Sequence, residues 1–327
     1  MCESKRGMET ELKNSPRTRF LGYGACFVAS CLWGTGFYFS RLALNEMSVE
    51  YMVLYRILFA CVGVLPVALV SRWRFSAAET RTLLISAAFG IPISCLIQFS
   101  GLARTTVSHA SLMVGAMPVM LGVAATLFAG ERLERVGWLA LGGSTLGAAL
   151  ITLGGSHGAA VRGQPTLYGD LLVLVSLVAA LAWILLSKKL MLTHSPSVVS
   201  AYTILLGAMM MMPWVMGPWL LTPLTHARVA PPPFALVSMT AWGALAFSGL
   251  LCTATTTLLW NWGIHHVPAS RAGVFLNIEP ALGSLLGVQL LGEHLGPYAW
   301  VGGGLILAAA ITLTTRRHDT EPVMIVE

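Results

Sequence analysis

The chain repeats itself. Gly101–Thr152 aligns with Gly263–Thr314 without a gap at a constant offset of 162: Gly101/Gly263, Ser108/Ser270, Ala110/Ala272, Pro118/Pro280, Gly130/Gly292, Glu131/Glu293, Leu133/Leu295, Trp138/Trp300 and Gly142/Gly304. Each copy holds a long apolar run with a proline near its middle, a Gly-Glu-x-Leu break, and a second apolar run opened by Trp and filled with glycine. Upstream, Tyr55, Ile57, Leu58 and Pro66 match Tyr202, Ile204, Leu205 and Pro213 at a different constant offset of 147. Two similarly built halves follow, whatever the elements are.

Composition decides what those elements are. Of 327 residues, 56% are hydrophobic and only 10% charged, against about 25% charged in a soluble domain. That much charge cannot wet a surface all round, so most of the chain has lipid as its natural solvent. A helix needs about 20 mostly apolar residues to cross roughly 30 Å of hydrocarbon. Ten segments qualify: 21–40, 51–70, 82–102, 107–129, 136–154, 168–187, 198–221, 235–262, 269–291 and 298–315. The expected architecture is an all-α integral membrane protein of ten transmembrane helices. Residues 1–20 form a polar tail, 21–154 the first five-helix repeat, 155–167 a linker, 168–315 the second repeat and 316–327 a second tail. Five crossings is an odd number, so the second copy enters from the opposite face and the 5+5 repeat is inverted. With the N-terminus in the cytoplasm, fifteen Lys and Arg residues fall on that side and four on the other, leaving Arg56 inside a run. The positive-inside rule then puts both termini in the cytoplasm of a multi-pass protein of the cell (inner) membrane.

The same residues exclude other classes. The net charge of +6 lies between apolar runs rather than in one basic, aromatic-interleaved patch, so no nucleic acid is expected as a partner. Cys2, Cys26, Cys31, Cys61, Cys95 and Cys252 lie in or beside apolar runs with no Cys-x-x-Cys pair, so neither a disulfide framework, a metal site nor another cofactor is expected. The first apolar run is not followed by a small-residue cleavage site and reads as a retained anchor. No Gly-Lys dipeptide exists to build a P-loop, and no His-Glu-x-x-His or pair of aspartates lies in an apolar run, so neither an ATP-driven pump nor an intramembrane enzyme is supported.

A few polar residues lie inside the apolar runs. Glu279 is the acidic residue near the centre of one. A bare carboxylate there costs about 2.5–3.5 kcal/mol on insertion scales, so it belongs in the bundle interior, meeting a proton, a substrate ammonium or a neighbouring helix. Glu279, Gly283 and Gly287 share one helical face. Arg56 is the basic residue well inside a run; it could take a substrate carboxylate bidentately, snorkel to the interface, or pair with Glu279. Pro118 and Pro280 remove a backbone donor at equivalent repeat positions, as a hinge or as a packing feature. Trp33, Trp183 and Trp260, with Tyr38 and Tyr202, could line a cavity, and each could equally be belt or packing. Gln98 and Asn277 can hydrogen-bond a small-molecule substrate or a facing helix. Glu131 and Glu293 end their helices as gates or as loop anchors. The glycine-rich fifth and tenth helices would pack as a scaffold, with a homodimer face as a further expectation.

Taken together, Trp33-Gly34, Arg56, a Pro118-centred fourth run ending in Gly130-Glu131-Arg132-Leu133, and Glu279-Pro280 in a ninth run ending in Gly292-Glu293-His294-Leu295 resemble the EamA family of the drug/metabolite transporter superfamily. The resemblance covers roughly residues 20–316. It implies a ten-helix, five-plus-five secondary carrier, usually an exporter of amino acids, their derivatives or other small metabolites; efflux of cationic compounds and a non-transporting receptor remain alternatives. Two places depart from the pattern: Trp183 is followed by an aliphatic turn and Lys188-Lys189, and Met117 stands where the second half has Glu279.

Overall fold

The structure is a computed structural model that describes residues 16–71, 73–117, 119–120, 123–124, 135–154, 165–220, 237–267 and 273–316. Pro118, the Gly130-Glu131 break, and most of the linker and of the two tails fall outside the described residues. Among those described there are helices and no strands. We number the helices α1 (Pro16–Leu44), α2 (Val49–Val70), α3 (Ala77–Leu102), α4 (Val107–Val114), α5 (Arg135–Gly154), α6 (Leu167–Leu190), α7 (Pro196–Leu220), α8 (Met239–His266), α9 (Ile278–Leu291) and α10 (Pro297–Arg316). Six of them, α1, α2, α3, α6, α7 and α8, are long and apolar enough to cross a membrane; α5, α9 and α10 contribute shorter apolar stretches.

Local chemistry sets where the helices begin. Ser76 and Glu79 form a reciprocal capping box at α3, and the hydroxyls of Thr106, Thr166 and Ser238 accept from the third residue on at α4, α6 and α8. The Gly-Glu-x-Leu break has a definite job in the second half. Gly292 ends α9 at φ +66°, a conformation open to glycine, and the turn carries Glu293 back to the start of α4. There its carboxylate accepts from the amides of Val107 (2.7 Å) and Ser108 (2.8 Å) and from the Ser108 hydroxyl (2.7 Å), satisfying orphan donors with a negative charge at a helix N-terminus. Of the two readings of Glu293, anchoring is the one these bonds describe.

Packing repeats across the halves. α1 lies against α8 and α9, and their counterparts α6 and α3, α6 and α4, meet likewise; α2 meets α7, α4 meets α9, and α5 meets α10. The agreement reaches single residues. Gly101 faces the carbonyl of Gly169, and Gly263, its partner at offset 162, faces the carbonyl of Gly22, which stands 147 before Gly169. Gly147 and Gly302 likewise face each other's carbonyls where α5 crosses α10, and added side chains there would hold the two backbones apart.

At one end of the bundle the turn between α3 and α4 is clamped on three sides. Arg41 of α1 donates to the carbonyls of Leu102 (2.5 Å) and Thr105. Glu293 caps α4, and Asp170 of α6, wholly buried, accepts from Thr105 and contacts His109 Nδ1 at 3.2 Å. At the opposite end Glu79 meets Thr193 (2.9 Å) and His194 (3.1 Å), and Tyr202 donates to the Ser71 carbonyl (3.3 Å).

Candidate functional site

Between these two ends, α2 carries Arg56 into the bundle, where it is only 9% exposed. Burying a guanidinium costs several kcal/mol unless its donors and charge are met. Three groups do so in part. Nε donates to the Thr253 hydroxyl at 2.9 Å, Nη1 donates to the Ser40 hydroxyl at 3.2 Å, and Cζ sits 4.7 Å from the centre of the Phe99 ring as a cation–π contact. Nη2 has no hydrogen-bond partner among the described residues. It lies 3.9 Å from where a Cβ at Gly36 would stand.

The local fold of α8 explains the aim of Thr253. Leu250–Thr255 is a π turn, which inserts a residue into the α-helical ladder and leaves carbonyls in want of donors. Thr253 Oγ1 donates to the Ser248 carbonyl (3.0 Å) and Thr255 Oγ1 to the Leu250 carbonyl (2.8 Å), so Thr253 presents its free lone pairs to Arg56. Close approach of α8 to α2 depends on Gly249, which faces the Arg56 carbonyl, and on Gly63, which faces Ala254. A second π turn, Phe89–Ile93, interrupts α3 at the equivalent place.

Glu279 stands in the first turn of α9, with its carbonyl 3.2 Å from a Cβ built at Gly34 of α1. Its carboxylate is partly buried, within electrostatic reach of Arg56 and Cys252. Among the described residues it forms neither an ion pair nor a hydrogen bond. A guanidinium and a carboxyl group thus stand within electrostatic reach of each other without closing, which leaves both available to a third polar group.

The remaining sequence candidates separate. Trp33 and Trp260 come together at 5.4 Å between ring centres, one residue along α1 from the Gly34–Glu279 contact. Phe37 adjoins Phe99 at 6.2 Å. Tyr38 packs on Phe39, and Gln98 is partly buried beside Phe99 in sequence. Asn277 is buried where the 3₁₀ segment Gly273–Asn277 passes into α9. Pro280 therefore sits in the first turn of an α-helix, where its missing N–H would have had no intrahelical acceptor, rather than in the middle of one. Gly283 packs against Ser111 and Gly287 against Ser108, so the two glycines of the stripe face α4, while the Glu279 carbonyl faces Gly34 of α1. Trp183 lies over Gly90 of the α3 π turn, and Tyr202 is in the second turn of α7 against Trp73 (4.9 Å) and Phe75 (5.8 Å). Pro118 lies outside the described residues. Sequence reasoning missed Gly36, Ser40, Phe99 and Thr253; a usable signal was the hydroxyl-rich stretch Thr253, Thr255, Thr256, Thr257 in an otherwise apolar run.

The sequence profile described as the EamA-like transporter family matches residues 20–153 and again 167–315. A protein of Archaeoglobus fulgidus named as an uncharacterized transporter is 23% identical over 297 residues, spanning 88% of this chain and 95% of the relative. A "Probable terminal-alkyne amino-acid exporter" of Streptantibioticus cattleyicolor is 24% identical over 299 residues, 89% of this chain and 94% of its own. A solved crystal structure shares the fold at TM-score 0.59 with 18% identity, covering 91% of this chain and 99% of that one.

Proposed function

We propose that this chain, which belongs to the EamA-like transporter family, is a secondary carrier of small metabolites that works by alternating access. Its two five-helix halves are inverted relative to each other and rock about a site between them, in a cell membrane with both termini cytoplasmic. Reporter tags at positions 159 and 317 that read the same side would overturn this topology.

Amino acids or closely related compounds, moved outward, are the substrates this reading favours. The observation that carries it is the unclosed pair of buried Arg56 and partly buried Glu279, held on helices from different halves. A zwitterion has one charge for each. The relative named as an amino-acid exporter supports the same class. The Trp33–Trp260 pair suits a cation and so favours a second reading, efflux of cationic compounds, but such a substrate leaves the free Arg56 nitrogen unmet.

Flux of a labelled amino-acid panel in proteoliposomes tests the first reading against the second, with quaternary ammonium dyes as the competing set. Within that assay Glu279→Gln is expected to lower flux about tenfold or more and to flatten its pH dependence, because a neutral amide holds an ammonium group less well and cannot exchange a proton. A variant with the rate and pH profile of the natural chain removes Glu279 from the mechanism.

A further inference from the structure

The repeat offsets that relate the halves also relate the residues of the site. Arg56 corresponds to Thr203 and Gly36 to Trp183 at offset 147; Gly90 corresponds to Cys252 and Met117 to Glu279 at offset 162. The contacts obey this correspondence. Trp183 lies over Gly90, and Gly36 faces Cys252, with 3.5 Å between Cys252 Cβ and a Cβ built at Gly36. The bulky and small partners are exchanged between the two equivalent contacts. In the unit built on α3, α4, α6 and α7 the indole of Trp183 occupies the space over the π turn. Thr203 there has a buried hydroxyl with no partner among the described residues, and buried Met117 supplies no charge. In the unit built on α1, α2, α8 and α9 the position equivalent to Trp183 is Gly36, which has no side chain, and the unpaired Nη2 of Arg56 stands 3.9 Å from a Cβ built there.

We infer that this chain has one substrate site, off the axis relating its halves, in which a substrate carboxylate binds Arg56 Nη2 beside Gly36, the residue whose missing side chain sets selectivity for a carboxylate. The inference rests on the carrier reading above and deepens it. A carboxylate oxygen beside Gly36 completes the guanidinium's hydrogen bonding, which Thr253 and Ser40 leave unfinished. The substrate's cationic end then lies toward Glu279. The counterpart pocket, plugged by Trp183 and without charge, takes none.

Gly36→Ala is the decisive variant, because its Cβ would meet Cys252 and Arg56 at 3.5 and 3.9 Å, ordinary contact distances, so the fold accepts it while the space in front of Nη2 closes. Gly24→Ala, with nothing within 4 Å, is the control. The probes are the proteinogenic amino acids, each against its carboxamide, measured as flux in proteoliposomes and as thermal stabilisation of the detergent-solubilised full chain. Gly36→Ala is expected to raise KM for the amino acid about tenfold or more and to abolish its stabilisation, while the carboxamide, which lacks the charge-assisted bond to begin with, loses less, so that the natural chain's preference for acid over amide collapses. Transport of the carboxamide also reports that the variant is folded. Equal effects on acid and amide, or none on either, overturn the inference. Carboxylate-dependent stabilisation without flux in the natural chain overturns the carrier reading alone.

Discussion

Arg56→Lys is expected to raise KM for a carboxylate-bearing substrate about 10- to 100-fold while leaving the protein folded. Three fixed directions of the guanidinium are in use or on offer: Nε to Thr253, Nη1 to Ser40, and Nη2 to the space over Gly36. A lysine ammonium keeps the charge and the contact with Phe99, but it is a single point on a flexible stem and cannot serve all three. Losing one hydrogen bond to a charged group costs about 1.5–3 kcal/mol, which is that range of KM. Arg56→Met, which also removes the charge, is expected to abolish flux of the amino-acid panel and to leave Thr253 and Ser40 without their donor. The measurement is initial-rate flux in proteoliposomes at matched protein density. Wild-type KM in Arg56→Lys means that this arginine is structural, and the proposed substrate class falls with it.

The second large effect concerns stability rather than transport. Asp170 is wholly buried and His109 is 3% exposed, and with Thr105 they tie α6 to the start of α4. Asp170→Ala strands two buried polar groups and leaves a void, a loss of about 3–5 kcal/mol. Asp170→Asn keeps an oxygen for Thr105 and is expected to recover much of the loss. Thermal unfolding in detergent reads both, and the double variant with His109→Ala isolates the pair's own coupling. The residues at the repeat-equivalent positions are Tyr23 and Arg271, so the sequence does not repeat this acid–imidazole pair. KM of the molecules that remain folded should be unchanged, because neither residue adjoins Arg56. An unfolding midpoint equal to that of the natural chain sinks the structural assignment.

Much of this molecule was legible in its sequence because the controlling quantities are one-dimensional. Hydropathy summed along a run says whether it suits lipid, and gapless self-alignment says that the chain is doubled. The scarcity of charge made Arg56 and Glu279 conspicuous, since a lone ion in an apolar run is too costly to be incidental. Gly292 and Glu293 stood out by their repetition at the end of a run, although the sequence left gate and anchor equal.

Other features depended on what lies across the bundle. A π turn shifts the register of every residue after it by one, so no count at 3.6 residues per turn could place Thr253 against Arg56. Trp183, an attractive cavity residue by type, lies over a glycine 93 positions away, and Gly36, unremarkable by type, is the position where its counterpart is missing. Asp170 and His109 are ordinary helix-start residues until α4 and α6 meet. The sequence alone thus determined the solvent, the duplication and the identity of the buried charges, all of which follow from local composition and order. Tertiary structure alone decided that an indole fills one of the two equivalent contacts while glycine stands in the other, because that is set by side-chain volume meeting backbone between helices far apart in the chain.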